Sequence, residues 1–468
     1  MRRSLGMRFL IVAVLTLLMG IPLLMASGVI QDRKNYSRNT LTTVGAEWGG
    51  KQVVTGPILI VPVQKTEILS VKQDVIDDTT GVVKLDDKGF PIQRIVEVSN
   101  TTSRDPVYLM PGTFDVEVNS KTQTRHRGIF NVPVYTAGID MDFDFPTELI
   151  EASLKEGEEA RWAGATLVLY VSSNAALRGE TILTQGDKPL AIEPLASSDN
   201  SGITALLGDP RNGGSYHLDI GLNGAQSFEI APVGRTTKVN MTSDWPHPSF
   251  QGGFLPDSSE ISEEGFSAVW TIPHVARTLP QISRENYRST AARASFGYRL
   301  FQPNDFYQKA HRATAYGILF IALTFLTVLL VDRVNDKPAH PVQYILIGLA
   351  QSTFVLLMVS YAEQFGFLIA YLIASGAVTI LITLFALVGL KLGARAWVLG
   401  AMLIVLYAVL YLILESTDYA LLAGSTLAFV AIAATMWFTR NEEWYGPEGA
   451  GLFARKSKVA PPPAPPKP

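Results

Sequence analysis

Residues 9–30 read FLIVAVLTLLMGIPLLMASGVI. A membrane-spanning helix needs about 20 consecutive apolar residues, and this stretch supplies them without a single charge. Five more stretches of the same kind crowd the last third of the chain, at residues 313–331, 342–362, 366–390, 396–414 and 419–438. A long, mostly polar segment separates the first from the rest. The layout predicts an α+β membrane protein with six transmembrane helices, one N-terminal anchor and five C-terminal. A large mainly-β domain is inserted after the first crossing.

The composition agrees. Of 468 residues, 47% are hydrophobic and 17% charged, where ordinary soluble proteins carry about 25% charged residues. Mean hydropathy is positive. A net charge of −3 leaves no footprint for nucleic acid. The chain has no cysteine, which excludes disulfides, thiolate metal sites and cysteine nucleophiles. The inserted domain must therefore be held by its apolar core, and residues 31–310 are enough to build one.

Lysine and arginine set the orientation. Arg2, Arg3 and Arg8 precede the first span, so the N-terminus is expected inside and the large domain outside. Alternation then places Arg333 and Lys337 inside, Glu363 outside, Lys391 and Arg395 inside, Glu415 and Asp418 outside, and Arg440 with the tail inside. Lys309 and Arg312 conflict with this, lying just outside the second span. The first span could also be a cleaved signal peptide. Its apolar run is long for that role, and Ala26-Ser27-Gly28 is a poor cleavage site, so an uncleaved anchor is expected.

After the anchor, Leu41, Val44 and Trp48 fall at helical spacing and Gly49-Gly50 should end that helix. Strand signals follow. Phe114, Val116 and Val118 alternate with Asp115 and Glu117, and Ile139, Met141, Phe143 and Phe145 alternate with Asp140, Asp142 and Asp144. Residues 58–63, 166–171, 217–222, 228–233 and 239–241 also read as strands. The expectation is a mainly antiparallel β domain, with a sandwich as one arrangement. The polar stretch 186–202 is either a long loop or a boundary between two β subdomains.

Candidate chemistry is sparse. Asp140, Asp142 and Asp144 would share one strand face, roughly 7 Å apart, and oxygen clusters suit calcium. The glycine and terminal glutamate of a calcium loop are missing, so a solvated face is the simpler account. Asp244, His247 and either Ser243 or Ser249 hold the groups of a nucleophilic triad. They sit too close in sequence, on a turn stiffened by Pro246 and Pro248, and aromatic rings capping a rigid turn fit better. The six histidines show no zinc spacing. In the membrane region Gly366, Ala370 and Ala374 form a smooth stripe for close helix approach. Gln351 and Glu363 are polar groups that either bond between helices or line a transport path. The tail Pro-Pro-Pro-Ala-Pro-Pro-Lys-Pro should be polyproline II or disordered.

Several blocks, in order, resemble the cell envelope integrity inner membrane protein CreD family of Gram-negative bacteria. They are Thr55-Gly56-Pro57 with the strand after it, residues 243–250 followed by Gly253-Phe254-Leu255-Pro256, His340-Pro341-Val342-Gln343-Tyr344, Glu363 before Gly366-Phe367, and Thr439-Arg440-Asn441 with Trp444-Tyr445. The family tends to carry a basic residue where this chain has Ala315, and glutamate where it has Asp332. The resemblance implies a bacterial inner membrane protein with a large periplasmic domain, linked to envelope integrity and to tolerance of envelope-targeting agents under two-component control. It brings no agreed reaction and no catalytic residue.

The expected organisation is thus a cytoplasmic N-terminus and anchor (1–30), a periplasmic mainly-β domain (31–310), a five-helix bundle (311–440) and a cytoplasmic Pro-rich tail (441–468). The expected function is non-enzymatic support of the envelope. The partner-binding surface would be Asp244, Trp245, His247, Ser249 and Phe250, and its partner a periplasmic or envelope protein, beside the lipid bilayer. No cofactor, metal or nucleic acid is expected. The alternative is a transporter or lipid-handling protein using Gln351 and Glu363 in the bundle.

Overall fold

A computed structural model describes residues 5–78, 81–128, 130–196, 200–301, 306–332, 339–415 and 420–440. Of the orientation signals, Arg2, Arg3, Arg333, Lys337, Asp418 and the Pro-rich tail lie outside the described residues. The chain forms two compact units, Met1–Arg38 with Asn304–Pro468, and Asn39–Pro303.

The first apolar stretch folds as α1 (Leu5–Leu18) and α2 (Gly20–Glu47), a helical run of 42 residues in all. The break falls at Met19 because Pro22 has no N–H to give the carbonyl of Leu18 and its ring crowds that turn. Past that break α2 runs to Glu47, so the helix predicted around Leu41, Val44 and Trp48 is the end of α2. It stops where the sequence predicts. Gly49 and Gly50 take φ of 117° and 72°, and the Gly50 N–H closes on the Gly45 carbonyl at 2.7 Å.

Two short helices, α3 (Glu148–Ser153) and α4 (Arg288–Arg293), belong to the β unit. The membrane helices are α5 (Phe306–Asp332), α6 (Pro341–Phe365), α7 (Phe367–Val388), α8 (Ala396–Glu415) and α9 (Ala420–Thr439). Among the described residues five helices, counting the N-terminal one, are long and apolar enough to cross a membrane, where six spans were expected, and α9 carries a shorter apolar run, Gly424–Trp437. The first helix is an integral part of the bundle. Val12, Leu15, Met19 and Leu23 share one buried cluster with Phe320, Phe325, Ile347 and Val355. Small residues permit the approach: a Cβ on Gly348 would meet Met19, and one on Gly317 would meet Leu23. Ala370 and Ala374 of the predicted stripe are fully buried.

In the β unit the strands are β1 (Gln52–Asp74), β2 (Gln93–Leu109), β3 (Thr113–Arg127), β4 (Phe130–Phe143), β5 (Glu158–Ala160), β6 (Thr166–Tyr170), β7 (Leu177–Gln185), β8 (Lys188–Leu190), β9 (Glu193–Pro194), β10 (Gly202–Leu206), β11 (Tyr216–Ala225), β12 (Ser227–Ile230), β13 (Thr236–Ser243), β14 (Pro248–Gly252), β15 (Ser258–Ser262), β16 (Gly265–Pro273), β17 (Ile282–Ser283) and β18 (Phe296–Leu300). They make two sheets. One follows the order β14-β18-β12-β1-β6-β10-β9, with β2 and β5 also on β1 and β17 on β2; the other runs β15-β16-β13-β3-β4-β11-β7-β8. Most pairs are antiparallel. Two are not: β1 lies parallel to β12, and β13 parallel to β3, so the sheets are mixed.

The two sheets share one core. Ile58, Leu59, Leu167, Phe228 and Tyr298 from the first bury with Phe114, Ile139, Met241 and Trp270 from the second. The predicted alternation holds in β3, where Phe114, Val116 and Val118 are buried and Asp115 and Glu117 exposed. Buried phenols find partners, as an apolar core requires. Tyr135 donates to the Ser227 carbonyl and Tyr298 to Ser120 Oγ, both at 2.8 Å. Burial pushes both phenol pKa values up. The stretch 186–202 divides no subdomains. Its described part holds β8, the edge of one sheet, and β9, the edge of the other, so it is a crossover within one sandwich.

Candidate functional site

The block 243–250 is also a crossover, leading from β13 in one sheet to β14 in the other. Ser243 ends β13 between Phe266 and Ser120. Asp244 then turns outward, and its Oδ1 accepts from both the N–H and the hydroxyl of Thr122 at 2.8 Å. The Trp245 indole N–H donates to the carbonyls of His247 (3.0 Å) and Phe301 (3.2 Å). The Phe301 N–H returns a bond to the His247 carbonyl at 3.2 Å. With Pro246 and Pro248 fixing φ on either side, the turn is held by its own backbone. Its outward groups are the Asp244 carboxylate and the His247 imidazole, both exposed.

The other two predicted residues face differently. Ser249 sits in β14 opposite Arg299. Phe250 packs edge-to-face on Phe266 and Trp270, with ring centroids 5.6 and 5.7 Å away, and so braces the core. The structure brings the acid, imidazole and hydroxyl onto one turn without linking them. Asp244 is engaged with Thr122, and the Ser243 hydroxyl accepts the Trp245 N–H at 3.3 Å. That arrangement offers no proton relay among the described residues.

The three aspartates separate as well. Asp140 and Asp142 stay on the outer face of β4, where Asp142 meets His217 Nδ1 at 2.9 Å. Asp144 lies past the strand's end and takes the N–H and hydroxyl of Thr113 at 2.5 and 2.6 Å. Alternation fails at that point because β4 ends at Phe143. Among the described residues no group of three or more His, Cys, Asp or Glu is placed to hold a metal ion.

In the bundle, Gln351 donates to Thr324 Oγ1 at 2.8 Å, while its own buried Oε1 has no hydrogen-bond partner among the described residues. Glu363 is 8% exposed. It accepts from the Tyr307 hydroxyl at 3.0 Å and lies 3.9 Å from Arg33 Nε. Nearby in sequence, Lys309 pairs with Glu415 at 2.6 Å and sits over the Phe367 ring at 4.4 Å. Nothing local in the sequence pairs Arg33 and Tyr307 with Glu363, or Lys309 with Glu415. The available signal was Lys309, a cation at odds with the expected orientation, with Glu363 and Glu415 expected on the same side. A groove of about 620 Å³ between α7 and α8 is lined by Tyr371, Ser375, Thr379, Tyr407 and neighbouring aliphatics, and reaches neither Gln351 nor Glu363.

Several of the resemblance-bearing blocks turn out to be structural punctuation. His340 caps α6: its Nδ1 accepts from Val342 N–H, and Gln343 reaches back to the His340 N–H at 2.8 Å and across to the Gly389 carbonyl at 3.1 Å. Gly366, with φ of 80°, separates α6 from α7. Gly56 lies where a Cβ would meet the Val168 carbonyl of β6. Phe254 stacks edge-on against Phe296, and its carbonyl accepts the Trp270 indole N–H at 3.3 Å.

Comparison with known proteins agrees with this pattern. The family model described as Inner membrane protein CreD matches residues 4–445. Inner membrane protein CreD of Escherichia coli (strain K12) is 29% identical over 443 residues, covering 92% of this chain and 91% of that protein. With its N-terminal apolar helix, its mixed-sheet domain and its C-terminal bundle all inside the matched span, the chain belongs to the inner membrane protein CreD family.

Proposed function

We propose that this protein is a non-enzymatic inner membrane component that supports the cell envelope under stress, and that its β domain binds a periplasmic or envelope partner at the turn around Trp245 and His247. The observation that carries the reading is the fixed turn. The indole N–H of Trp245 is spent on two carbonyls of its own chain, so the Asp244 carboxylate and His247 imidazole are presented on a rigid support. Rigid presentation lowers the ordering cost of binding. The orientation proposed is both termini cytoplasmic and the β domain outside. Pairing of Lys309 with Glu415 favours this, since it neutralises one of the two cations that contradict the charge rule.

The test is complementation of an envelope-stress phenotype. His247→Ala keeps the backbone carbonyl that Trp245 needs, so the domain stays folded. Paired with Trp245→Ala it should abolish complementation while the protein remains folded in the membrane. Full complementation by the double variant would sink the proposal.

One observation favours a transporter or lipid-handling role instead, the unpartnered Gln351 Oε1 inside the bundle. Substrate flux in proteoliposomes that is lost in Glu363→Gln would establish that reading in place of the first.

A further inference from the structure

β1 is 23 residues long, and its two halves live in different surroundings. Up to Val63 it is largely buried in the sandwich; from Thr66 to Asp74 every residue is exposed. Its partner β2 is likewise almost wholly exposed from Gln93 to Asp105. Together they form a ribbon that leaves the sandwich. Among the described residues, 67–74 pair with β2 alone and 93–103 with β1 alone, so each strand keeps one unpaired edge. A two-stranded ribbon by itself is marginal in water, and an open edge is a template for another strand.

The ribbon also has an apolar face. Leu69 lies opposite Val98, and Val71 opposite Val96, which puts all four on one side. Leu69, Val71 and Val98 are 44%, 46% and 48% exposed. The other side carries Ser70 opposite Glu97 and Lys72 opposite Ile95.

The geometry points to a second copy of this chain as the occupant of the β1 edge, joined antiparallel about a two-fold axis at Ser70. That register sets Leu69 of each copy against Val71 of the other and Glu67 against Gln73, while Ile68 meets the aliphatic stem of Lys72. No like charges face each other. Moving the axis to Leu69 sets Glu67 against Val71, and moving it to Val71 sets Leu69 against Gln73, so only the Ser70 axis keeps the apolar face continuous. The β2 edge is poorer. Matching Val96 with Val98 there sets Glu97 against its own copy. The product is a four-stranded sheet, β2-β1-β1-β2, with Leu69, Val71, Val96 and Val98 of both copies on one face. This surface is separate from the turn at Trp245, and the inference stands or falls without it.

Because the chain contains no cysteine, a single introduced one reports the contact in the full-length protein in native membranes. Residues directly opposite in an antiparallel pair have Cα atoms about 4.5 to 5.5 Å apart, within disulfide reach. Ser70→Cys should therefore give a disulfide-linked dimer on mild oxidation. Thr101→Cys, on the outer strand and about 30 Å from its counterpart in such a sheet, should not. Adding Val71→Lys to Ser70→Cys should cut the cross-linked fraction about tenfold. A folded Ser70→Cys protein that stays monomeric, that links no better than Thr101→Cys, or that forms mixed disulfides with another protein instead overturns the proposal. Should Ser70→Cys fail to fold, the mass of the unsubstituted protein in nanodiscs decides. A dimer converted to monomer by Val71→Lys supports the inference, and a monomer throughout refutes it.

Discussion

The two units expose apolar side chains for opposite reasons. On the bundle, Leu381, Ile404 and Val405 point outward at 57%, 62% and 61% exposure, and they lie on helices long enough to meet lipid. On the β unit, Ile68, Leu69, Val71, Ile95 and Val98 are comparably exposed, yet they sit on a ribbon of strands flanked by Glu67, Lys72, Arg94 and Glu97. Apolar exposure is the resting condition in hydrocarbon. In water such side chains mark an interaction surface, and on the ribbon they flank an open strand edge. The same measurement thus identifies a solvent in one unit and the neighbourhood of an open edge in the other.

Substitutions can break or sharpen that contrast. The largest effect belongs to neither surface. Trp270 is 1% exposed between the sheets, and Trp270→Ala should cost about 3–5 kcal/mol of β-domain stability, read as a large drop in melting temperature. Next is the lipid-facing surface. Leu381→Lys lies near the middle of α7 and should cost about 2.5–3.5 kcal/mol of insertion free energy, seen as loss of membrane-integrated protein. A neutral result there would mean that α7 does not cross. Gln351→Leu is expected to stay within about 1 kcal/mol. It removes both the bond to Thr324 and an unpartnered oxygen, while the Thr324 hydroxyl keeps the Phe320 carbonyl at 2.9 Å. A larger loss in detergent unfolding would assign that pair a role beyond packing. Smallest is the ribbon: Val98→Lys in dilute, monomeric protein should change stability by no more than about 0.5 kcal/mol. A cost as large as that of Leu381→Lys would place the ribbon's apolar face inside a core rather than in water.

Much of the fold was legible because its signals are local. Gly49-Gly50 ends a helix through backbone angles that few other residues adopt, and alternation in β3 sorts its side chains by the period of the strand. Legibility stopped where an element ended early or ran long. Asp144 reads as a third carboxylate on a strand face only if β4 continues past Phe143, and nothing in the alternation marks that end. Phe250 looks like a surface aromatic in a Pro-rich turn, but the pairing of β14 with β18 turns it toward Phe266 and Trp270. Glu363 read as a lone outer charge, whereas Arg33 and Tyr307, far off in sequence, surround it.

The sequence by itself determined the placement of the apolar helices, the mainly-β character of the insert, and the absence of thiol chemistry. Each follows from runs and periods only a few residues long. Tertiary structure alone decided that β1 and β12, like β3 and β13, lie parallel, that residues 186–202 cross between two sheets of one core, and that the far half of β1 leaves that core. These depend on which distant strand supplies the hydrogen bonds and the apolar cover, a choice that local propensity does not encode.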